Sequence, residues 1–253
     1  MTEAIPSFLV KTLRAARSAA VLTGAGVSAE SGLPTFRDAM TGLWAQRRPE
    51  DLATAEAFRR DPRLVWEWYA WRRALAAQAV PNPAHFALAE MARRVPRLTL
   101  ITQNVDGLHQ RAGSWDVIEL HGSLSRVKCF REDVVVEGWG ETGDVPPRCP
   151  RCGGPLRPDV VWFGESLPPQ ALEQATEAAE HCDVFLSVGT LGLVEPAASL
   201  LGLAARRGAT TALFNLESTG QSSLADFSIT GPAGRTLPAL LRAAWPEDGS
   251  ARG

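Results

Sequence analysis

Five apolar runs in this chain end in the same way, each in a glycine or a short polar turn. Residues 19–23 lead into GAGVSAESG, LTLIT into QNVDGLH, VIEL into HG, DVFLSV into GT, and TTALF into NLE. Short apolar runs bounded by turn residues read as buried strands. Between them lie helical patterns. Asn82-Pro83 supplies an N-cap and a first-turn proline for a helix through HFALAEMARR, and another pattern runs from about 195 to 207 and stops at Gly208. Strands alternating with helices predict a parallel sheet covered on both faces.

Two stretches break the alternation. Residues from about 36 to 81 read as helices only, and residues 122–164 hold paired cysteines and short β-like pieces. Both fall between sheet strands, so both are expected to be insertions that together make a smaller lobe. A chain of 253 residues with a net charge of −2 can bury a sizeable core but offers no global attraction for nucleic acid or an anionic membrane. Its apolar runs are strand-sized, far short of a bilayer span. Lys11, Arg14 and Arg17 fall on a helical pattern with no apolar stretch or cleavage site after it, which predicts a surface helix of a cytoplasmic protein. Four cysteines are too few and too clustered for a secreted disulfide framework.

In open α/β sheets ligands bind beyond the carboxyl ends of the strands. Here those ends carry Thr23-Gly24-Ala25-Gly26, Gln103-Asn104-Val105-Asp106, His121-Gly122, Gly189-Thr190 and Asn215-Leu216-Glu217. The loop GAGVSAESG puts small residues and backbone N–H groups at a helix start, which suits a pyrophosphate. It departs from G-x-G-x-x-G at Ala29, and alone it reads equally well as a tight strand-to-helix turn.

Taken in order, GAGVSAESGLPTFR, TQNVDGLH, the strand-ending HG and RPDVVWFGE resemble the motif set of the sirtuins, over roughly residues 19–241. The resemblance implies an α/β fold: a Rossmann-like parallel sheet with a smaller inserted lobe, built of a helical module and a zinc-ribbon-like module. The NAD-binding domain would comprise 1–35, 86–121 and 165–253, the helical insertion 36–85 and the zinc-ribbon-like insertion 122–164. Carried over by residue, Gly24, Ala25, Gly26 and Ser28 would contact NAD, with Phe36 and Arg37 on the nicotinamide side. Gln103, Asn104 and Asp106 would hold the nicotinamide ribose and carboxamide, and Gly189, Thr190, Asn215 and Ala233 the adenosine half. Val160, Val161, Trp162 and Phe163 would pair an acylated-lysine peptide as an added strand. His121, with Asn104 beside it, would be catalytic: a histidine titrates near neutrality and can accept a ribose hydroxyl proton. The implied reaction removes an acyl group from a protein lysine and releases nicotinamide and 2′-O-acyl-ADP-ribose. His85, His109 and His181 match no catalytic position and are read as histidines satisfied by the backbone.

The helical insertion bears on the acyl group. Asp61-Pro62 starts a helix in which Leu64, Trp68, Trp71 and Leu75 form an apolar stripe, while Tyr69 and Arg72 project together from the neighbouring face. Such a pair is often only a surface tyrosine beside an arginine. Y-x-x-R also matches the class III sirtuins, as do Ala53 and Trp162, and a phenol with a guanidinium suits a terminal carboxylate of the succinyl or malonyl kind.

Cys149-Pro150-Arg151-Cys152 is half of a structural zinc site, but the family's other half reads Cys129-Phe130-Arg131-Glu132 here. Zinc on Cys129, Cys149 and Cys152 with Glu132 or water as fourth ligand, and a metal-free lobe held by packing, both stay open. Cys182 reads as a small core residue. Leu191 stands where the family has serine. Two other classes of function share these motifs: an ADP-ribosyltransferase or NAD glycohydrolase, and a non-enzymatic NAD-binding module. The expected partners are acylated-lysine proteins or peptides, with neither nucleic acid nor membrane.

Overall fold

The computed structural model describes residues 5–34, 48–140 and 143–246. Its strands are β1 (Ser18–Thr23), β2 (Arg97–Thr102), β3 (Ile118–Glu119), β4 (Gly122–Cys129), β5 (Leu156–Val160), β6 (Val184–Val188), β7 (Thr210–Asn215) and β8 (Phe227–Thr230). Six of them form one parallel sheet in the order β3-β2-β1-β6-β7-β8. This is the doubly wound order, and the strand order reverses between β1 and β6. Every residue of β1 and β6 is buried, as expected of central parallel strands covered on both faces.

The helices are α1 (Ser7–Ala15), α2 (Ala55–Arg60), α3 (Pro62–Gln78), α4 (Pro83–Arg94), α5 (Leu108–Arg111), α6 (Pro169–His181), α7 (Ser199–Arg206) and α8 (Ala233–Ala244). α1, α4 and α8 cover one face of the sheet through Leu9, Leu13, Leu88, Met91, Leu237 and Leu240. α6 and α7 cover the other through Ala175, Ala179, Leu200, Leu201 and Ala204. The side chains of Asp61 and Asn82 accept from the first-turn amides of α3 and α4, so both Asx-Pro starts act as caps, each worth about 1 kcal/mol. Three sequence expectations need correcting. Arg17 lies beyond α1. α7 starts at Ser199 rather than near 195, because Glu195 precedes Pro196 and is disfavoured in helix. The short edge strand β8 was not foreseen.

α2 and α3 pack on β4 and β5, which pair antiparallel in a separate two-stranded sheet. Phe58, Val65, Trp68, Tyr69, Leu124, Val160 and Trp162 form the core there. Trp66, Val127, Cys129, Cys149 and Leu156 form a smaller cluster beside it. α4, by contrast, packs on the large sheet from its first turn, so a boundary at 85/86 falls within that helix. The two sheets join at His121-Gly122. Gly122 has φ +78°, and a Cβ there would lie 2.1 Å from the Asp159 carbonyl oxygen across the β4–β5 pair. Only glycine lets the chain turn from β3 into β4 at that spot.

Candidate active site

Register brings the strand ends together. Thr23 stands opposite both Thr102 and Val188, so Gly24, Gln103 and Gly189 emerge side by side. The Gln103 side chain donates to Thr190 Oγ1 (3.0 Å), and Asn215 donates to the Thr190 carbonyl (3.0 Å). Asn104 Nδ2 donates to the Gly24 carbonyl and to Ser28 Oγ, both at 3.1 Å. Ser28 Oγ in turn donates to Asp106 Oδ2 (2.8 Å). Four of the five expected strand ends are thus tied into one polar rim. The fifth, His121, joins through Nδ1, 3.0 Å from the Gln103 carbonyl oxygen.

The glycines act differently from the sequence expectation. The N–H groups of Gly24 and Gly26 are spent on the carbonyls of Val188 and Gly189 rather than presented to a phosphate. A Cβ on Gly24 or Gly26 would come within 2.8 Å of residue 189 or 190. These glycines let the β1 and β6 loops press together, and the polar side chains around that seam face the crevice.

A cavity of about 440 Å³ opens from the rim, lined by Ser28, Gln103, Asn104, Asp106 and His121 from the large domain and by Ala53, Tyr69, Trp71, Arg72, Leu75 and Trp162 from the smaller lobe. A carbonyl only accepts, so the bond to Gln103 fixes the proton on His121 Nδ1 and leaves Nε2 with a lone pair. Burial lowers the His121 pKa below the ordinary 6.5, and the Gln103 bond offsets this only in part, so the ring is neutral at pH 7.

On α3 the buried residues are Val65, Trp66, Trp68, Tyr69 and Ala76; of the expected stripe, Trp68 is buried and Leu64 and Trp71 pack half-buried against the same core, which also takes in Tyr69. Tyr69 is a core residue 1 % exposed, and its oxygen accepts from Trp162 Nε1 at 3.1 Å. The Arg72 guanidinium sits 5.0 Å over the Trp68 ring and 5.8 Å from the Tyr69 ring. Burial works against its charge and lowers its pKa, while Tyr69 and Asp106 push the other way. The segment Val160–Phe163 runs along the cavity, yet its amides are engaged within the chain. Val161 N donates to His121 O, Trp162 N to Glu165 and Phe163 N to Ala53 O.

Two expected residues, Phe36 and Arg37, lie outside the described residues. Ala233 packs in the sheet core at the start of α8 and is not on the cavity wall. Leu191 is exposed beyond Thr190. Sγ of Cys129, Cys149 and Cys152 and a carboxylate oxygen of Glu132 lie within 4.8 Å of one another. Cys182 is buried against α6 and β6, and burial raises its thiol to about 11.

Two histidines set aside by the sequence reading belong beneath the site. His85 Nδ1 accepts from Asn82 N, so its Nε2 carries the proton and faces Ser28 Oγ at 3.4 Å. His109 Nε2 lies 2.9 Å from Thr23 Oγ1, and its ring is 4.8 Å from that of His85. Burial, with His85 adding to it, lowers the His109 pKa to about 3. Between pH 6.5 and about 3 the unfolded chain therefore binds a proton here that the folded chain refuses, and stability falls as pH falls. One such group contributes a slope of about 1.4 kcal/mol per pH unit. His109→Gln is expected to flatten the dependence of unfolding free energy on pH by that amount between pH 6 and 4. An unchanged slope in urea titrations would show that His109 is charged in the fold.

Comparisons with known proteins agree with this arrangement. The sequence profile described as Sir2 family matches residues 24–196. The chain is 52% identical over 243 residues to a Methylococcus capsulatus protein named NAD-dependent protein deacylase, covering 93% of this chain and 95% of that one. A solved Sir2 homologue in complex with NAD superposes with a TM-score of 0.87 at 46% identity, covering 95% of this chain and 94% of its own. Sir2Af2 bound to a myristoylated histone peptide superposes at 0.76 with 36% identity, covering 94% of each chain. With the doubly wound sheet, the joined strand ends and a profile that spans most of the chain, this protein belongs to the Sir2 family.

Proposed function

We propose that this protein removes acyl groups from lysine side chains with NAD as co-substrate, and that it favours acyl groups ending in a carboxylate. The observation that carries the reading is one continuous cavity lined by the His121 imidazole together with Tyr69 and Arg72. The polar set fits a dinucleotide: the amides of Gln103, Asn104 and Asn215, the Thr190 hydroxyl and the acceptor carboxylate of Asp106 gather around the strand-order reversal, where such ligands bind. When bound, NAD supplies an electrophilic ribose carbon and nicotinamide as leaving group. Ser28, Asn104 and Asp106 would orient the ribose, and the wall from Val160 to Phe163 would hold the peptide. Because the amides of that segment are engaged, its carbonyls, each with a second lone pair, would meet the peptide backbone. His121 Nε2 would take the proton from a ribose hydroxyl. NAD would occupy the domain made of 1–35, 86–121 and 165–253, against a lobe made of the two insertions.

Incubation with NAD and succinyl-, acetyl- or unmodified lysine peptides, following nicotinamide and peptide mass together, tests the reaction. Nicotinamide release without peptide mass loss would instead indicate an NAD glycohydrolase. His121→Ala is expected to lower turnover by about 100-fold or more while NAD still binds. In the native enzyme His121 is lost as a base when pH falls through its lowered pKa. The acidic limb of kcat/KM is therefore expected to lie below pH 6.5, and a limb above that value would assign the base elsewhere.

At the acyl end, truncating one partner of a charge-assisted, desolvated contact costs on the order of 2 to 5 kcal/mol. Arg72→Met is expected to cut desuccinylation efficiency by at least about 30-fold and to shift preference toward acetyl-lysine. Equal losses on both peptides would assign Arg72 to packing.

Three thiols and a carboxylate converging within 4.8 Å fit zinc, whose ~2.3 Å bonds to sulfur place tetrahedral ligands a little under 4 Å apart. Glu132 would be the fourth ligand, although it also pairs with Arg151 at 3.5 Å. A carboxylate is a harder ligand than a thiolate, so zinc is expected to leave faster to a chelator than from the Glu132→Cys variant. Identical release rates would remove Glu132 from the ligand set.

A further inference from the structure

We infer that Trp162 is a positioning residue for acyl selectivity: its indole N–H turns the Tyr69 hydroxyl into a donor directed at the acyl carboxylate. The inference rests on the acidic-acyl reading above and adds a group that does not itself bind the carboxylate.

An indole N–H can only donate. With Trp162 Nε1 3.1 Å from the Tyr69 oxygen, that oxygen is the acceptor, and the phenolic proton must point away from the indole. Among the described residues this proton meets no acceptor. Tyr69 nevertheless lies on the cavity wall and is 1 % exposed, so water does not readily satisfy it. A buried donor left unpaired is unfavourable until an acceptor arrives. Burial also raises the phenol to about 12, which keeps the proton in place at working pH. The neutral Tyr69 O–H and the charged Arg72 then offer donors to the two oxygens of one carboxylate.

The indole is itself fixed. Its backbone N–H donates to Glu165 Oε2 at 2.8 Å. The Arg157 guanidinium stacks 3.3 Å from its ring centroid and is bound to Glu165 at 2.5 and 3.0 Å, with the Arg157 side chain 3 % exposed. Phe58, in the same lobe core, packs on the ring with centroids 5.4 Å apart. A chain of contacts thus runs from the Arg157–Glu165 ion pair through Trp162 to the Tyr69 hydroxyl. The motifs RPDVVWFGE and Y-x-x-R, far apart in sequence, act as one unit at the acyl end.

Trp162→Phe keeps an aromatic ring and removes the N–H. Steady-state kinetics with succinyl- and acetyl-lysine peptides are expected to show a fall of about tenfold in the succinyl-to-acetyl ratio of kcat/KM, carried by the succinyl KM, the scale of one hydrogen bond to a charged group. Tyr69→Phe should lower the ratio similarly, and the double variant should add little, because both changes disable the same donor. Phe58→Leu, which disturbs the same packing but no hydrogen bond, should leave the ratio unchanged. If Trp162→Phe keeps the wild-type ratio while Tyr69→Phe and Arg72→Met lower it, Tyr69 is oriented without Trp162 and the inference is wrong. A parallel fall on both peptides, matched by Phe58→Leu, would also overturn it, leaving Trp162 a packing role. If Tyr69→Phe and Arg72→Met keep the ratio too, the acidic-acyl reading falls with it.

Discussion

The register of three parallel strands is the constraint on which the rest of the molecule depends. Because Thr23 aligns with both Thr102 and Val188, the loops after β1, β2 and β6 leave the sheet at one level. Small residues then let the β1 and β6 loops touch, and the seam becomes a rim of side-chain donors and acceptors instead of a gap. A one-residue slip in a parallel strand would exchange its two faces and destroy both buried layers. The packing of α1, α4 and α8 on one face and of α6 and α7 on the other therefore protects the geometry of the rim. The histidine that faces the cavity inherits its orientation from this frame, through the Gln103 carbonyl.

The smaller lobe is held by a different kind of interaction. The buried Arg157 guanidinium forms a bidentate ion pair with the half-buried Glu165 and lies over the Trp162 ring, whose backbone N–H donates to the same carboxylate. Taking two charges out of water offsets much of their attraction, so such a pair adds little net stability over a well-packed apolar substitute. Its contribution is geometric. Arg157 also donates to the Val160 carbonyl, so one side chain fixes the segment that borders the cavity. The Glu165 carboxylate reflects this balance: burial alone would raise its pKa, yet the bonds from Arg157 and the Trp162 amide bring it below the ordinary value.

Much of this was legible in the sequence, and the failures share a cause. Strand ends were readable because glycine and polar turns interrupt apolar runs, and the α3 and α4 starts because Asx-Pro has a local mechanism. The four-residue β8, with Ser228 and Thr230 exposed on an edge, lacks the apolar run that marked the others. On α3 the stripe of Leu64, Trp68 and Trp71 does pack on the lobe core, but periodicity could not show that Tyr69 joins them, its hydroxyl paired with Trp162 far away in sequence. His85 does accept from the Asn82 backbone as expected, whereas nothing local shows that it and His109 are buried beneath the site. Their roles depend on Ser28 and Thr23, 57 and 86 residues away. The close packing of the first-loop glycines on the partner loop at Gly189 is likewise invisible from sequence alone.

On the proposed acidic-acyl reading, non-local contacts of this kind would set selectivity at Tyr69 and Arg72. An apolar tunnel distinguishes acyl groups weakly, because an extra or missing methylene is worth only about 1 to 3 kcal/mol. A site with buried donors behaves differently, since a substrate that leaves them unpaired forfeits their desolvation as well as their bonds. Tyr69 is such a donor, and Arg72 is a cation whose charge burial already opposes. An acetyl group reaching this end would leave both facing an apolar methyl or a trapped water. Discrimination would therefore arise from what the wrong substrate fails to satisfy, and would be as sharp as the orientation of Tyr69 is rigid. That rigidity comes from β5 and the loop after it, not from the helix that carries Tyr69, so the two insertions must fold against each other before the cavity has any chemical preference.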